Sequence, residues 1–286
     1  MRLSHGSIRQ WGSGAGSGEY LNEPLFVAIM VLNLPIKGNE KLERIQTYAN
    51  EHARLRALWE ACNMMALKRL GMSDHGPVHV AIVANIALKV LRNLEQAEVV
   101  PGMVRDWEMD QQDAEVVVVL GALFHDVGNA VHRDIHDHLG PLLAQPFLDD
   151  MLCELYEPRE RQIIMTEVMS AMVSHSEDKI PPLTLEAGIV RLADALDMEK
   201  GRARVSFDAG TRDIHSISAM SIDEVSIRSG ERPVAIEIRM NNPAGIFQVD
   251  FLLRRKLKGS GLEPYVSVKA VVEKQDENII EEFSLD

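Results

Sequence analysis

Residues 110–129 read DQQDAEVVVVLGALFHDVGN, and how they fold decides the architecture. Four consecutive valines, Val116 to Val119, favour a strand by propensity alone. Length argues the other way. The apolar run continues through Leu120, Ala122, Leu123 and Phe124, beyond the roughly 5–6 residues of a usual strand. Asp110 to Glu115 supply the acidic first turn that a helix macrodipole favours. The stretch therefore reads as a buried helix that delivers His125-Asp126 at its end. The small pair Gly121/Ala122 lets another helix approach beneath it.

Working outward, residues 41–71 carry a helical pattern rich in Ala, Leu, Arg and Glu, closed by Gly71. Ser73 or Asp74 is expected to cap the next helix, which runs to Leu94 with His79, Val83, Ile86 and Val90 on one stripe. Downstream, helices are expected over 138–156, 158–175 and 184–198. After Arg204 the texture changes. Segments 216–228, 233–240 and 265–273 alternate apolar and polar residues, with turns at Ser229-Gly230 and Asn241-Asn242-Pro243. A helical stretch over 244–258 lies between the last two strands. No polar cluster in this C-terminal part resembles an active site. The fold class is mainly α: an all-helical core followed by a smaller α+β C-terminal domain. The expected division is a flexible tail over 1–20, a helical domain over 21–204 and a β-β-α-β domain over 205–286.

Bulk properties narrow the function. The chain has 286 residues and a net charge of −13, from 43 acids against 30 bases. Such a surface repels a phosphate backbone, so no general nucleic-acid binding is expected, while a local basic pocket for one small phosphate remains open. Two cysteines, Cys62 and Cys153, make no disulfide framework and no zinc spacing, which fits a cytoplasmic protein. The apolar stretch Pro24 to Pro35 is about half the length a membrane span needs, so no membrane association is expected. The tract Gly12-Ser13-Gly14-Ala15-Gly16-Ser17-Gly18 follows no strand and opens no helix, so it reads as a linker and not as a phosphate cradle.

Seven of the ten histidines fall between positions 75 and 175. A lone histidine on an apolar face is usually a hydrogen-bonded core residue. Several on the apolar faces of successive helices call for a shared partner, because each buried imidazole costs free energy unless it is paired. A metal ion satisfies many at once. His79 shares a stripe with Val83 and Ile86, and His125 follows Val118, Gly121 and Ala122. His175 follows Ile164, Val168, Ala171 and Met172, and Asp194 shares a face with Val190 and Ala187. Neighbouring His125 and Asp126 would diverge by about 100° inside a helix. At a last turn that geometry relaxes, and the Asp can bridge while the His approaches from the side.

The order His79, His125-Asp126, Asp194, in the contexts HVAIV (79–83), LFHDVGN (123–129) and LADALD (192–197), resembles the H…HD…D pattern of the HD phosphohydrolase superfamily over roughly residues 70–204. The resemblance implies an all-helical core in which these four residues hold a divalent metal, with Asp126 and His125 at the catalytic centre. Some branches hold two metals through extra histidines. In the bacterial cyclic-dinucleotide branch these lie in an HPxxG and an HHE segment. Here His136-Asp137-His138-Leu139-Gly140 keeps the His-to-Gly spacing without the Pro, and Ser174-His175-Ser176-Glu177 keeps one histidine of the pair. His136 and His175 are carried over as second-metal ligands. The GYP element is absent, since 178–182 read DKIPP, which argues against cyclic-di-GMP.

Further residues flank this set. His75 is open to three readings, as a ligand, a substrate contact or a cap residue, with substrate contact favoured. His132 and Arg133, and the basic cluster Lys200, Arg202 and Arg204, are solvated charges by default and phosphate contacts by position. The cofactor implied is one or two divalent ions (Mn, Fe, Mg, Co or Zn), and the function is hydrolysis of a phosphate ester, monoester or diester, by a metal-bound hydroxide. The partner is a small phosphorylated substrate, and the β-rich C-terminal edges suggest a homodimer. Two rival readings stay open: a di-iron oxygenase on the same ligand set, and a nucleotide-sensing scaffold without turnover.

Overall fold

The computed structural model describes residues 32–36, 38–176, 180–202, 214–273 and 280–285. The Gly/Ser tract, most of the apolar stretch Pro24 to Pro35, Glu177 and Arg204 lie outside them. The valine run is helical: α5 spans Gln111–Phe124, and every residue from Asp113 to Phe124 is buried. Its start is fixed by a capping box. The Asp110 side chain accepts from the Asp113 N–H, and the Asp113 side chain accepts from the Asp110 N–H. Valine loses side-chain freedom in a helix. Burial outweighs this, since each fully buried Val contributes roughly 1.5–3 kcal/mol.

Around α5 stand α1 (Glu40–Glu51), α2 (Ala53–Asn63), α3 (Pro77–Gln96), α4 (Gly102–Trp107), α6 (His136–Leu152), α7 (Pro158–Ser174) and α8 (Leu185–Leu196). Helices α3, α7 and α8 pack directly on α5. The close approach expected at Gly121 is present: a Cβ there would sit 2.9 Å from Val190 Cγ2 and 3.3 Å from Ala171 Cβ. Helix α3 alone among the described residues is long and apolar enough to cross a membrane by length and composition. Ten of its residues are buried, and it packs against α5 and α8.

Several boundaries differ from the sequence reading. The helical run over 41–71 breaks at His52, whose backbone leaves the helical region (φ −79°, ψ 99°) and whose ring accepts the Leu55 N–H to cap α2. A π-helical turn, Met64–Arg69, follows α2, and Gly71 ends it with φ +66°. The N-cap of α3 is Gly76 with Pro77 next, where proline's fixed φ suits a first turn. Asp74 instead accepts the Gly76 N–H. Helix α6 begins two residues earlier than expected and ends at Leu152.

In the C-terminal domain, α9 (Ile214–Ala219) replaces the expected start of the first strand. Ser218 is buried there and accepts from Gln248, so tertiary packing overrides a short alternating pattern. The sheet then runs β1 (Ile222–Arg228), β2 (Val234–Met240), β3 (Val266–Glu273) and β4 (Ile280–Leu285), in that spatial order. The pairs β1/β2 and β3/β4 are antiparallel, and β2/β3 is parallel with Ile236 opposite Val268. The parallel step needs a crossover. Helical residues 246–257 (α10) supply it, as Ile246–Gln248, the π turn Val249–Leu253 and Arg254–Leu257. Strand β4 has no counterpart in the sequence reading. The molecule is thus a helical core followed by a small α+β domain, and both belong to one compact unit.

Candidate metal centre

Five helix ends meet at one end of the core. His79 lies in the first turn of α3 and His136 opens α6. His125 and His175 are the C-caps of α5 and α7, and Asp194 lies in the last turn of α8. Asp126 leaves the helix (φ −102°, ψ 0°) into the short 3-10 turn Val127–Ala130. Adjacent His125 and Asp126 thereby reach the same centre. Gly128 makes this possible. The α6 backbone crosses so close that a Cβ there would stand 2.0 Å from the His136 carbonyl oxygen.

Each histidine is oriented by its Nδ1. The Nδ1–H of His125 donates to the Ala122 carbonyl (2.8 Å), that of His136 to Arg133 (2.6 Å) and that of His175 to Met172 (2.6 Å). His79 Nδ1 donates to the Asp197 carboxylate at 2.6 Å. These bonds set the tautomer and leave the four Nε2 lone pairs pointing inward.

The inward atoms form two groups joined by Asp126. His79 Nε2 lies 3.1 Å from His125 Nε2, 3.4 Å from Asp126 Oδ2 and 3.2 Å from Asp194 Oδ1. His125 Nε2 is 3.3 Å from Asp126 Oδ2 and 3.7 Å from Asp194 Oδ1. On the other side, His136 Nε2 and His175 Nε2 are 3.3 Å apart. They lie 3.5 and 3.6 Å from Asp126 Oδ1. Ligand atoms about 2.0–2.2 Å from one ion, at octahedral or tetrahedral angles, stand roughly 2.8–3.6 Å apart. Both groups meet that spacing to within about 0.1 Å, so the residues fit a divalent ion, and each group could hold one.

The electrostatics agree. Burial and the Arg202 guanidinium pull His79 down. Bonds to Asp126, Asp194 and Asp197 outweigh them and hold it up at about 10. An imidazole flanked by three carboxylates marks a site that attracts positive charge. Asp126 and Asp194 are buried, which alone would raise them, yet both lie well below the carboxylate range. His125 does this for Asp126, and Lys256, then His125 and His79, for Asp194. Burial drives His75 down to about 3, so it stays neutral. Burial and Asp126 push the nearby Cys62 thiol up to about 12, a poor thiolate.

The structure brings together His79, His125, Asp126, His136, His175 and Asp194, with His75 Nε2 4.0 Å from Asp126. Arg133 and Arg202 reach the same centre. Arg133 Nη1 donates to Asn129 Oδ1 and lies 3.7 Å from Asp126. Arg202 donates to the carbonyls of Asp74 and Asp197, with Nη2 3.3 Å from His79 Nε2. The structure does not place His132 and Lys200 there. His132 is exposed and its ring accepts the Asp134 N–H, while Lys200 is drawn away to Asp223 on β1 at 2.7 Å.

Three groups escaped assignment from the sequence. Asp197 orients His79, and its place in LADALD one turn after Asp194 was the signal. Asp137 lies 2.9 Å from His136 Nε2 and accepts from Ser176. Burial opposes its charge, but His136, His175 and Ser176 hold its carboxyl low. Lys256 comes from the C-terminal domain, where the sequence shows no polar cluster resembling an active site, and pairs with Asp194 Oδ2.

The profile of the HD domain family matches residues 78–199, which hold all six inward-facing candidate ligands. Among curated proteins, Uncharacterized protein MJ1020 of Methanocaldococcus jannaschii is 44% identical over 224 residues, spanning 78% of this chain and 86% of that protein. No solved structure matches. The chain belongs to the HD domain family, a superfamily of metal-dependent phosphohydrolases whose members bind divalent metals.

Proposed function

We propose that the protein hydrolyses a phosphate ester of a small molecule or nucleotide, at a site whose residues would hold two divalent ions, with Asp126 shared by both ligand groups. One observation carries this reading: all four imidazoles have Nδ1 committed, so their Nε2 atoms converge on the two oxygens of one carboxylate. His79, His125, Asp126 and Asp194 would hold one ion, and Asp126, His136 and His175 the other. Bound ions supply water acidified toward neutral pH and offset charge on phosphoryl oxygens.

The residues themselves do the rest. Asp126, with Asn129 donating to its Oδ1 at 2.8 Å, fixes the line between the two halves of the site. Arg133 and Arg202 present cationic donors where negative charge grows on the phosphoryl group. His75, held neutral with its Nδ1–H on the Ser73 carbonyl, offers Nε2 as an acceptor for a substrate hydroxyl or water. The acidic surface supports a small substrate over nucleic acid, in a cytoplasmic setting.

The test is phosphate release by purified protein against nucleotides, cyclic dinucleotides and simple phosphate esters, with Mn, Fe, Mg, Co and Zn each supplied. Release that a chelator abolishes supports the reading, and release that survives metal removal overturns it. Oxygen consumption by iron-loaded protein without phosphate release would replace it with a di-iron oxygenase. Nucleotide binding without turnover in every metal would leave a sensor.

A further inference from the structure

The ligands open into a cavity of about 330 Å³ whose wall includes His75, Arg133, Arg202, Leu252 and Lys256, within the usual range for small-molecule sites. Three other cavities, of about 410–460 Å³, contain none of the ligands. Two of the wall residues, Leu252 and Lys256, stand one turn apart on α10, so the C-terminal domain closes one side of the site.

Lys256 is unusual there. The residue is 8% exposed. Its ammonium has three donors, and among the described residues Asp194 Oδ2 is its one hydrogen-bonding acceptor. Asp194 turns its other oxygen, Oδ1, to His79 and His125. Asp194 offsets its charge, but among the described residues two of its three donors have no acceptor, and they stand at a cavity wall where an oxyanion could meet them. Arg133 and Arg202, partly engaged by Asn129 and backbone oxygens, line the same cavity.

We infer that Lys256 is the phosphoryl anchor of the active site, so that the C-terminal domain supplies the residue that holds the substrate's phosphate and the phosphate product. The inference rests on the phosphohydrolase reading and names how its substrate is held. The anchored group is a compact oxyanion with two or three charges. It would sit in the cavity between Lys256 and the residues that would hold the ions, with the organic remainder toward Leu252.

The experiment uses the full-length, metal-loaded protein and inorganic phosphate as probe. Phosphate and metal affinities are measured by calorimetry for wild type, Lys256→Met and Lys256→Arg. Lys256→Met is expected to weaken phosphate about 10- to 100-fold, as loss of a charged hydrogen bond in a buried site does. Metal affinity should stay within about threefold, and Lys256→Arg should recover part of the phosphate affinity. Unchanged phosphate affinity in Lys256→Met overturns the inference and leaves the phosphohydrolase reading intact. A parallel loss of metal also overturns it, by showing that Lys256 acts only through Asp194. Wild type that binds metal but not phosphate overturns it too, and wild type that binds no metal brings down the underlying reading instead.

A second measurement needs no variant. Saturating phosphate should slow acetylation of Lys256 by acetic anhydride, read by peptide mass spectrometry, while exposed Lys258 reacts unchanged. Equal rates at Lys256 with and without phosphate contradict the assignment.

Discussion

Replacing Asp197 with Asn probes the orienting layer without touching a metal-facing atom. The Asp197 carboxylate is 5% exposed and accepts from His79 Nδ1 at 2.6 Å. An Asn amide oxygen can still accept, so the ring keeps its direction and loses only the charge behind it. A buried hydrogen bond to a charged group is worth about 1.5–3 kcal/mol and a neutral one about 0.5–1.5. The difference, about 1–1.5 kcal/mol, corresponds to roughly tenfold in metal affinity at the His79 site. Asp197→Ala removes the acceptor altogether and should reach the upper end of the 10- to 100-fold range for outer-shell partners. Competition against a chromogenic chelator measures this directly. At fixed excess metal, the tenfold weaker variant should also lose about 1.4 kcal/mol of metal-conferred stability. Affinity within twofold of wild type in both variants would refute the reasoning, because His79 would then be held by packing alone.

Three further outcomes are expected. Gly128→Ala forces a Cβ against the His136 carbonyl oxygen. It should cost about 2–4 kcal/mol in chemical denaturation and loosen both metal groups, and a variant of wild-type stability would show that the α6 backbone can retreat. His175→Ala should reduce bound metal from two ions to one per chain by elemental analysis, whereas two ions in the variant would mean that the second group is built differently. Glu95→Gln tests pH dependence away from the site. Burial, then the Glu115 carboxylate, push Glu95 up to about 7, and one of its oxygens is buried with no hydrogen-bond partner among the described residues. A raised carboxyl pKa stabilises the fold below the unfolded value near 4.5 and loses that stability as pH rises through 7. The Gln variant should therefore gain on wild type as pH climbs from 5 to 8, by about 1–2 kcal/mol after solvent screening. A constant difference across that range would count against it.

The helical core was legible because its elements are long and periodic. In α5 the length of the apolar run correctly outweighed the β preference of four valines. His79, His125, His175 and Asp194 could each be read as polar groups on apolar faces, and the structure brings them together. Short elements were not legible. The break at His52 depends on one ring capping α2, and α4 is a six-residue helix whose Met103 N–H is held by Glu186 from 83 positions away. Lys256 hid within the basic run Arg254-Arg255-Lys256, which reads as a solvated helix end. Its spacing from Leu252 and Leu253 placed it on the apolar stripe, yet only docking of α10 against α8 shows what that stripe meets. His132 and Lys200 were drawn toward the site by sequence proximity, which local turns and the Asp223 pair override.

The most direct test is anomalous diffraction at the manganese edge from crystals grown with excess Mn²⁺. The account predicts two peaks flanking Asp126, one about 2.0–2.3 Å from His79 Nε2, His125 Nε2 and Asp194, the other at the same range from His136 Nε2 and His175 Nε2. Crystals with manganese bound elsewhere, or with these imidazoles turned so that Nε2 faces away, would contradict it.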